Sequence, residues 1–412
     1  MILRWVLFVA FVFLLNLYAS QALKTVFKNV WFQYGFYILN FIIVSNFIFQ
    51  IYLLEKNEQV ASFFSYSLGL FLMIVVFQIL VIFFILFEDL FRIPQWFYHV
   101  FSKGIHQSFK FITERRLFIS QLAILLASIP ASALFIGMLR GKYSYKVINH
   151  ELSFNNLPLD FNGFRVAHVS DFHCGSFDNK EKLAYGINMI NQQQPDIILF
   201  TGDMVNNIAK EILPWKKLIS SLNAPYGKYA VLGNHDYGDY VRWDSDEEKK
   251  ENLKQLISHL EDMGFKVLLN NAIKINKKES SISLIGVENW GSGKFKKNGD
   301  LDLALKDVDP ADFKILMSHD PSHWEKQVIT HKEHIDLTLS GHTHGMQFGI
   351  EIPCWIKWSP VKYRYENWAG VYEEQGRFIN VNRGFGFLGY PGRVGIWPEI
   401  TVIKLRKKRS NT

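Results

Sequence analysis

Residues 164–174 read FRVAHVSDFHC, an apolar run followed by Asp171-Phe172-His173. The valines and the aromatic residue of its first part predict a strand over residues 164–170. Four further apolar runs end in the same types of polar residue. These ends are Thr201-Gly202-Asp203, Gly233-Asn234-His235-Asp236, Ser318-His319-Asp320 and Gly341-His342-Thr343-His344-Gly345. Asp, Asn and His are poor strand formers, so their clustering at five strand ends needs another cause.

Divalent metal ions provide such a cause. Side chains two positions apart lie on the same side of an extended segment, so an Asp-x-His or His-x-His pair can converge on one cluster of ligands. Imidazole, carboxylate and amide donors suit Mn, Fe or Zn, and the lack of thiolate donors argues against a structural zinc site. The candidate ligands are Asp171, His173, Asp203, Asn234, His319, His342 and His344. Seven donors exceed what one ion takes, so we expect two ions, about 3.5–4 Å apart, that share a carboxylate.

Strand and helix patterns alternate over about 260 residues, which favours an α/β or α+β sandwich with helices on the sheet faces. The predicted strands span residues 164–170, 196–201, 229–232, 281–286, 313–318, 335–340, 377–382 and 399–405. Helical patterns span residues 179–194 and 247–263. Ligands of α/β sheets bind at the carboxyl ends of strands, which is where the five polar motifs lie.

The composition excludes several classes of protein. Of 412 residues, 49% are hydrophobic and 16% aromatic, which excludes a disordered chain. The two cysteines, Cys174 and Cys354, are too few for a disulfide-stabilised secreted module. The net charge of +7 is uneven, because residues 1–140 sum to +5, residues 141–403 to −3 and the last nine residues to +5. We therefore expect no nucleic-acid partner, since such a partner requires a basic face on the folded domain.

Four apolar runs occupy the first third of the chain, at residues 5–19, 31–54, 63–87 and 117–139. The last three are long enough to cross about 30 Å of hydrocarbon, and their interiors carry no charge, which favours anchoring over transport. The first run fits either a retained anchor or the apolar part of a signal peptide cleaved near Ala22. Cations divide seven to five between the two sides, which favours an extracytoplasmic position for the domain that follows, in a multi-pass protein of the cell membrane.

The order DxH, GD, GNH, H, GHxH resembles the calcineurin-like metallophosphoesterase superfamily, in its bacterial membrane-associated branch of YkuE-like and UDP-2,3-diacylglucosamine hydrolase-like proteins. The segment GFGFLGYPGR at residues 384–393, followed by Pro398-Glu399-Ile400, is similar to the closing segment of that branch. The resemblance covers about residues 157–405. It implies a sandwich of two mixed β-sheets flanked by helices, with a dinuclear site at the strand ends, here preceded by a transmembrane α-helical region.

The resemblance also implies a role for each candidate residue. The implied ligands are Asp171, His173 and His344 for the first metal, Asn234, His319 and His342 for the second, and Asp203 as the bridge. His235 would be the catalytic acid that protonates the leaving group, with a structural hydrogen bond at a tight turn as the alternative. Independently of the resemblance, Arg393 beside the glycine-rich turn at residues 384–389 is expected either to bind a substrate phosphate or to form a surface ion pair.

The sequence therefore predicts a transmembrane region of about four helices at residues 1–140, a linker at 141–156, a catalytic domain at 157–405 and a basic tail at 406–412. The predicted function is a membrane-anchored phosphoesterase that cleaves phosphoester or pyrophosphate bonds with a hydroxide bridging two divalent ions, Mn²⁺, Fe²⁺ or Zn²⁺. Closeness to the bilayer suggests a lipid-linked substrate and contacts with membrane lipids. The alternatives are a phosphodiesterase for cyclic nucleotides or other small molecules, and a catalytically inert metal-dependent membrane scaffold.

Overall fold

The computed structural model describes residues 2–56, 61–103, 113–352 and 354–408. The chain divides into two compact units, Met1–Leu139 and Arg140–Thr412. One of the loop cations counted in the sequence analysis, Lys110, and the last four residues of the basic tail lie outside the described residues.

The first unit consists of the apolar helices α1 (Ile2–Val26), α2 (Val30–Lys56), α3 (Ala61–Lys103) and α4 (Thr113–Leu139). Each contains a span long and apolar enough to cross a membrane. Ala19 and Ala127 are fully buried where the helices meet. Gln78 in α3 donates a hydrogen bond of 2.6 Å to Asn40 Oδ1 in α2, so these intramembrane amides pair with each other. The prediction of apolar N-terminal helices is confirmed.

The second unit alternates strands and helices. Its strands are β1 (Lys146–Phe154), β2 (Arg165–Val169), β3 (Ile197–Phe200), β4 (Lys228–Ala230), β5 (Phe265–Val267), β6 (Asn271–Lys277), β7 (Ser280–Gly286), β8 (Lys314–Met317), β9 (Leu337–Ser340), β10 (Ile350–Ile352), β11 (Ile356–Trp358), β12 (Gly370–Glu374), β13 (Arg377–Val381) and β14 (Glu399–Lys407). Its α-helices are α5 (Lys180–Gln192), α6 (Lys216–Ser220), α7 (Asp246–Asp262) and α8 (Leu301–Leu305).

The strands form two mixed six-stranded sheets, ordered β1-β14-β2-β3-β4-β5 and β12-β13-β9-β8-β7-β6, and a separate hairpin of β10 and β11. Strands β2 to β5 are parallel in the first sheet, as are β7, β8, β9 and β13 in the second. The sheets pack face to face through buried side chains such as Val166 and Leu284. Leu183 of α5 and Leu256 of α7 pack on the other face of the first sheet. The predicted two-sheet sandwich flanked by helices is confirmed.

The two longer helices of this unit begin and pack as their sequences dictate. The side chain of Asn179 accepts a hydrogen bond from Lys182 N at the start of α5, and Ser245 caps α7 in the same way through Glu248 N. In α5 the buried positions 183, 186, 187 and 190 follow helical spacing, so one face of the helix lies on the sheet.

Residues 141–156 are not the linker that the sequence predicts. Strand β1 lies in this segment and pairs with β14 over its nine residues, from Lys146 opposite Glu399 to Phe154 opposite Lys407. The strand is at the edge of its sheet, and most of its side chains are exposed or half-buried, so its sequence lacks the apolar run of an interior strand. Strand β14 also extends to Lys407, two residues into the predicted basic tail.

Candidate metal centre

The five polar motifs lie on loops that follow parallel strands of both sheets. In chain order, β2, β3, β4, β8 and β9 lead into Asp171, Asp203, Asn234, His319 and His342. Asp171 N donates a hydrogen bond of 2.9 Å to Gly202 O, and His342 N donates one of 3.0 Å to Asp171 Oδ2. Loops that are up to 171 positions apart in the sequence are therefore joined at one edge of the sandwich.

Two glycines allow this close approach. A Cβ atom at Gly341 would overlap Ser170 Oγ and the Asp171 carboxylate. Gly202 has a φ angle of 96°, and a Cβ atom there would collide with the backbone of Gly233. Both positions require glycine, because any larger residue would push the loops apart.

Asp171, His173 and His344 form one buried group. His344 Nε2 lies 3.0 Å from His173 Nε2 and 3.3 Å from Asp171 Oδ1. The potential ligand atoms of the three residues all lie within 4.8 Å of one another. Nitrogen and oxygen atoms at these distances can share one cation.

Asp203, His319 and His342 form a second group with the same property. His319 Nε2 lies 3.2 Å from Asp203 Oδ2 and 3.3 Å from His342 Nδ1. Asp203 Oδ2 also lies 3.6 Å from His173 Nε2 in the first group. One carboxylate oxygen therefore lies between the two groups.

Backbone carbonyls orient two of the imidazoles. His319 Nδ1 donates a hydrogen bond of 2.7 Å to Thr201 O, which leaves Nε2 as the nitrogen that faces Asp203. His235 Nδ1 donates a hydrogen bond of 2.7 Å to Asn206 O. Hydrogen bonds of this kind fix the tautomer and the ring orientation of an imidazole that binds a metal or transfers a proton.

Asn234 has a buried oxygen without a partner. Its Nδ2 donates a hydrogen bond of 2.8 Å to the Tyr240 hydroxyl, whereas Oδ1 makes no hydrogen bond to any described residue. An unpaired buried polar atom costs about 1–3 kcal/mol, so native structures rarely keep one without a ligand. The amide oxygen is therefore suited to bind a cation.

The charges in the two groups depend on one another. Burial alone would raise the pKa of Asp171 and Asp203, but the neighbouring imidazoles lower both pKa values below their ordinary range. Burial lowers the pKa of His173 and His342. Burial would also lower the pKa of His319, but the Asp203 carboxylate raises it to about 10. Asp203 thus attracts a positive charge to this position, either a proton on His319 or a metal ion.

The donor set fits divalent metal ions. It combines ionised carboxylates, imidazoles and an amide oxygen, which are the ligands that Mn, Fe and Zn take at catalytic sites. Cys174 follows His173 directly, but it is buried and its sulfur contacts Met204 Sδ at 3.7 Å. Two groups of three donors joined at Asp203 match two ions rather than one.

Two family models match the chain. Residues 164–346 match "Calcineurin-like phosphoesterase", and residues 3–142 match "Probable Calcineurin-like phosphoesterase, transmembrane domain". The chain is 30% identical over 263 residues to the uncharacterized metallophosphoesterase YkuE of Bacillus subtilis (strain 168), with 62% of this chain and 84% of the relative covered. The chain belongs to the calcineurin-like phosphoesterase family. This confirms the superfamily and the membrane-associated branch expected from the motifs.

Two further relatives are also named as phosphoesterases or pyrophosphatases. The phosphoesterase is 28% identical over 285 residues to an uncharacterized metallophosphoesterase of Aquifex aeolicus, covering 67% of this chain and 99% of the relative. It is also 28% identical over 280 residues to the UDP-2,3-diacylglucosamine pyrophosphatase LpxG of Chlamydia trachomatis, covering 56% of this chain and 81% of the relative. The protein is therefore a phosphoester hydrolase with a transmembrane region.

Tyr365 and Asp320 hold the ring of His342, one of the second group of candidate ligands, in place. The Tyr365 hydroxyl lies 2.9 Å from His342 Nε2 and donates a hydrogen bond of 3.3 Å to Asp320 Oδ2. Asp320 is buried and directly follows His319. The motif Ser318-His319-Asp320 contains one of these residues, but no sequence signal connects Tyr365 to His342.

Asp236 holds two loops together and does not contact the His235 ring. Its carboxylate accepts hydrogen bonds from the backbone N–H groups of Asp203 (2.9 Å), Met204 (2.8 Å) and Gly233 (2.9 Å). Burial and then the charge of Asp203 raise the pKa of Asp236 to about 7. Asp236 therefore stabilises the loop after β3 against the loop after β4.

Arg393 does not lie at the surface, in contrast to the surface ion pair that is one of the two roles expected from the sequence. Its side chain is fully buried. Nε donates a hydrogen bond of 3.0 Å to Gly386 O, and Nη2 donates one of 2.8 Å to Arg383 O. Nη2 also lies 3.1 Å from His344 Nδ1. Arg393 therefore links backbone carbonyls of the closing segment to the Nδ1 side of the His344 ring.

A cleft of about 570 Å³ opens beside the two groups. His235 lines it, is half-buried and has no hydrogen bond to Nε2 from any described residue. The cleft is also lined by Asn234, Tyr240, Phe295, His342, Met346, Tyr363 and Arg364. A substrate in this cleft would contact the candidate metal ligands, the guanidinium group of Arg364 and several apolar side chains.

Proposed function

We propose that the protein is a membrane-anchored phosphoesterase that uses two divalent metal ions to hydrolyse a phosphoester or pyrophosphate bond. The main support is the position of Asp203, whose Oδ2 lies 3.6 Å from His173 Nε2 and 3.2 Å from His319 Nε2, between two groups of donors. The residues that would hold the ions are Asp171, His173 and His344 for one, Asn234, His319 and His342 for the other, and Asp203 for both.

Bound ions would lower the pKa of a water molecule held at the site and offset the negative charge of the phosphoryl group. Mn²⁺, Fe²⁺ and Zn²⁺ suit these nitrogen and oxygen donors. Within the protein, the unpaired Asn234 Oδ1 supports this assignment, because a ligand there would satisfy a buried polar atom.

His235 is our candidate for the proton donor to the leaving oxygen. Its Nδ1–H group is bonded to Asn206 O at 2.7 Å, so the ring keeps its orientation while Nε2 gains or loses a proton. The ring lines the cleft and is centred 5.0 Å from the His173 ring. A general acid within reach of the scissile bond contributes about 10²–10⁴-fold to the rate.

The substrate that we propose is a phosphoester attached to an apolar group. Met346 and Tyr363 line the cleft and are 58% and 77% exposed, and Arg364 in the same cleft is also exposed. An apolar wall beside a cation suits a lipid-linked phosphate or pyrophosphate. The activity for which the Chlamydia trachomatis relative is named, UDP-2,3-diacylglucosamine pyrophosphatase, is of this chemical class. The distribution of loop cations supports an extracytoplasmic catalytic domain.

The test uses the full chain purified in detergent. With Mn²⁺, Fe²⁺ or Zn²⁺ we expect hydrolysis of bis-p-nitrophenyl phosphate and two ions per chain by elemental analysis. Asp203→Asn should lower both the rate and the metal content. Asp302→Asn, with a side chain that is 80% exposed, is the matched control and should change neither.

Two results would contradict the proposal. A folded protein without stoichiometric metal would exclude the dinuclear site. Full metal occupancy without hydrolysis of any tested ester would favour the inert scaffold. If hydrolysis is found, mass spectrometry of total lipid extracts treated with the protein or with Asp203→Asn would identify the lipid headgroups that are cleaved.

A further inference from the structure

Three of the four N-terminal helices, α1, α3 and α4, bring polar and charged side chains together at one end of their unit. The Tyr18 hydroxyl in α1 donates a hydrogen bond of 2.7 Å to Asp89 Oδ2 in α3. Arg116 Nη2 in α4 donates one of 3.2 Å to Gln21 Oε1 in α1. Side chains at the end of α1, in the second half of α3 and at the start of α4 therefore meet at this end.

A nearly buried carboxylate organises the arginines there. Glu88 is 3% exposed. It accepts hydrogen bonds from Arg92 Nε (2.7 Å), Arg116 Nη1 (2.6 Å) and Arg115 Nη2 (3.3 Å). Arg116 Nη1 also lies 2.5 Å from Asp89 Oδ1. The guanidinium groups are thus held in place by protein contacts before any ligand binds.

A cleft of about 580 Å³ lies beside this network. It is lined by Lys24, Thr25, Lys28, Arg92, Glu114, Arg116 and Leu117. In the described part of the chain, Lys24 and Lys28 have no carboxylate partner. Among the described residues at this end, five cations, counting Arg115, accompany the three carboxylates of Glu88, Asp89 and Glu114, so the described groups leave two positive charges uncompensated.

The cleft lies where the apolar spans end. The span Trp5–Val26 ends two residues after Lys24, and the span Glu114–Leu139 begins at the cleft. Helix α3 has 43 residues and at 1.5 Å per residue is about 65 Å long, more than twice the roughly 30 Å of the hydrocarbon layer. We therefore place these cations at the depth of lipid headgroups.

An apolar groove of about 480 Å³ lies between α1 and α2. Its lining includes Val12, Phe13, Tyr37, Phe41 and Ser45. Lys24 Nζ, which lines the charged cleft, lies 5.7 Å from the centre of the Tyr37 ring. A cationic site and an apolar groove thus adjoin each other at the Lys24–Tyr37 contact.

We propose that this end of the four-helix unit is a binding site for an anionic phospholipid. Its phosphate occupies the cleft near Lys24, Lys28 and Arg116, and an acyl chain occupies the groove. The two uncompensated positive charges match the anionic headgroup of such a lipid, and the adjoining apolar groove matches its acyl chain. A free phosphate ion would use the cleft alone.

The test measures retention of phosphatidylglycerol by the full chain in detergent, using native mass spectrometry with phosphatidylcholine as the neutral competitor. Replacing two cations near an anionic headgroup, with Lys24→Gln and Lys28→Gln together, should weaken phosphatidylglycerol binding about 30-fold, which corresponds to about 2 kcal/mol. The control pair Lys254→Gln and Lys266→Gln makes the same change of charge at exposed positions of the catalytic unit and should leave binding unchanged.

The groove is tested separately from the charge. Ser45→Trp places a large ring at the exposed rim of the groove and should reduce phosphatidylglycerol retention at unchanged charge. Ile42→Trp is the control, because Ile42 is 57% exposed and does not line the groove. Circular dichroism checks that each variant keeps its helices.

Two outcomes would overturn the proposal. Equal retention of phosphatidylglycerol and phosphatidylcholine by the wild type would exclude a headgroup site. Displacement of the lipid by millimolar inorganic phosphate, together with full retention by Ser45→Trp, would show an ion site without a lipid chain.

Discussion

Replacing Tyr365 tests whether Tyr365 and Asp320 orient the His342 ring so that it can bind a metal ion. Tyr365→Phe removes one oxygen atom and keeps a ring that is only 5% exposed. If His342 binds an ion through Nδ1, its Nε2–H group donates to the Tyr365 hydroxyl at 2.9 Å, and that hydroxyl donates to Asp320 Oδ2 at 3.3 Å. The substitution therefore interrupts a chain of two hydrogen bonds that ends at a buried carboxylate.

The remaining contact cannot replace this chain. His342 Nε2 lies 3.5 Å from Asp320 Oδ2, which is too long for a good hydrogen bond. Burial and then the charge of Asp320 raise the pKa of Tyr365, so the hydroxyl keeps its proton and donates it. A lost hydrogen bond to a charged group costs about 1.5–3 kcal/mol, or roughly 10- to 150-fold in affinity. Substitution of such outer partners typically weakens metal binding by about 10- to 100-fold.

The assay is a Mn²⁺ titration of bis-p-nitrophenyl phosphate hydrolysis, together with elemental analysis after dialysis. For Tyr365→Phe we expect the half-saturating Mn²⁺ concentration to rise by about 10- to 100-fold, while the rate at saturating Mn²⁺ stays near that of the wild type. Tyr363→Phe is the matched control, since Tyr363 lines the same cleft but is 77% exposed. An unchanged metal requirement in Tyr365→Phe would refute the reasoning.

Three further predictions concern His235, the pH dependence of metal binding, and Arg393. His235→Gln should lower kcat by about 10²–10⁴-fold, because the proposed proton donor is lost, with two ions per chain retained by elemental analysis; a parallel loss of metal would contradict this role. At neutral pH a metal ion must displace the proton from His319, whose pKa is about 10. Since this competition weakens as the pH rises, the metal affinity measured by calorimetry should increase about tenfold per pH unit between about pH 6 and 8, and a flat profile would show that metal binding displaces no proton from His319. Arg393→Met should lower the melting temperature by several degrees, because each buried carbonyl left unpaired costs about 1–3 kcal/mol. The exposed Arg364→Met is its control, and equal melting temperatures would show that the Arg393 contacts do not stabilise the fold.

The candidate ligands could be proposed from the sequence because each lies on the loop that follows a strand, within four residues of the strand end. The expectation that each pair converges from an extended segment is only partly right. Asp171 and His173 do converge on one group, but both have a left-handed backbone, with φ angles of 55° and 51°, and do not lie on an extended segment. His342 and His344 are also two positions apart, yet they lie in different groups. The motifs therefore predict where the candidate site lies, whereas the turns determine which candidate ligands meet.

The supporting residues could not be predicted, because their contacts are distant in the sequence and follow no spacing rule. Tyr365 is 23 positions from His342, and Arg393 is 49 positions from His344. A buried arginine is also rare, so the ordinary expectation for Arg393 was exposure. Strand β1 could not be predicted either. It is an edge strand with mostly exposed or half-buried side chains, so it lacks the apolar pattern by which strands are recognised.

The backbone itself marks the site as functional. The candidate ligands with positive φ angles, between 49° and 69°, are Asp171, His173, Asp203, His342 and His344. Such conformations cost about 1–3 kcal/mol each for residues with a Cβ atom, and they persist only where surrounding contacts impose them. Here those contacts include the hydrogen bonds from backbone N–H groups to the carboxylates of Asp171 and Asp236. The donors are therefore held in place by the fold, and this explains why strained residues coincide with the residues that face the two proposed ions.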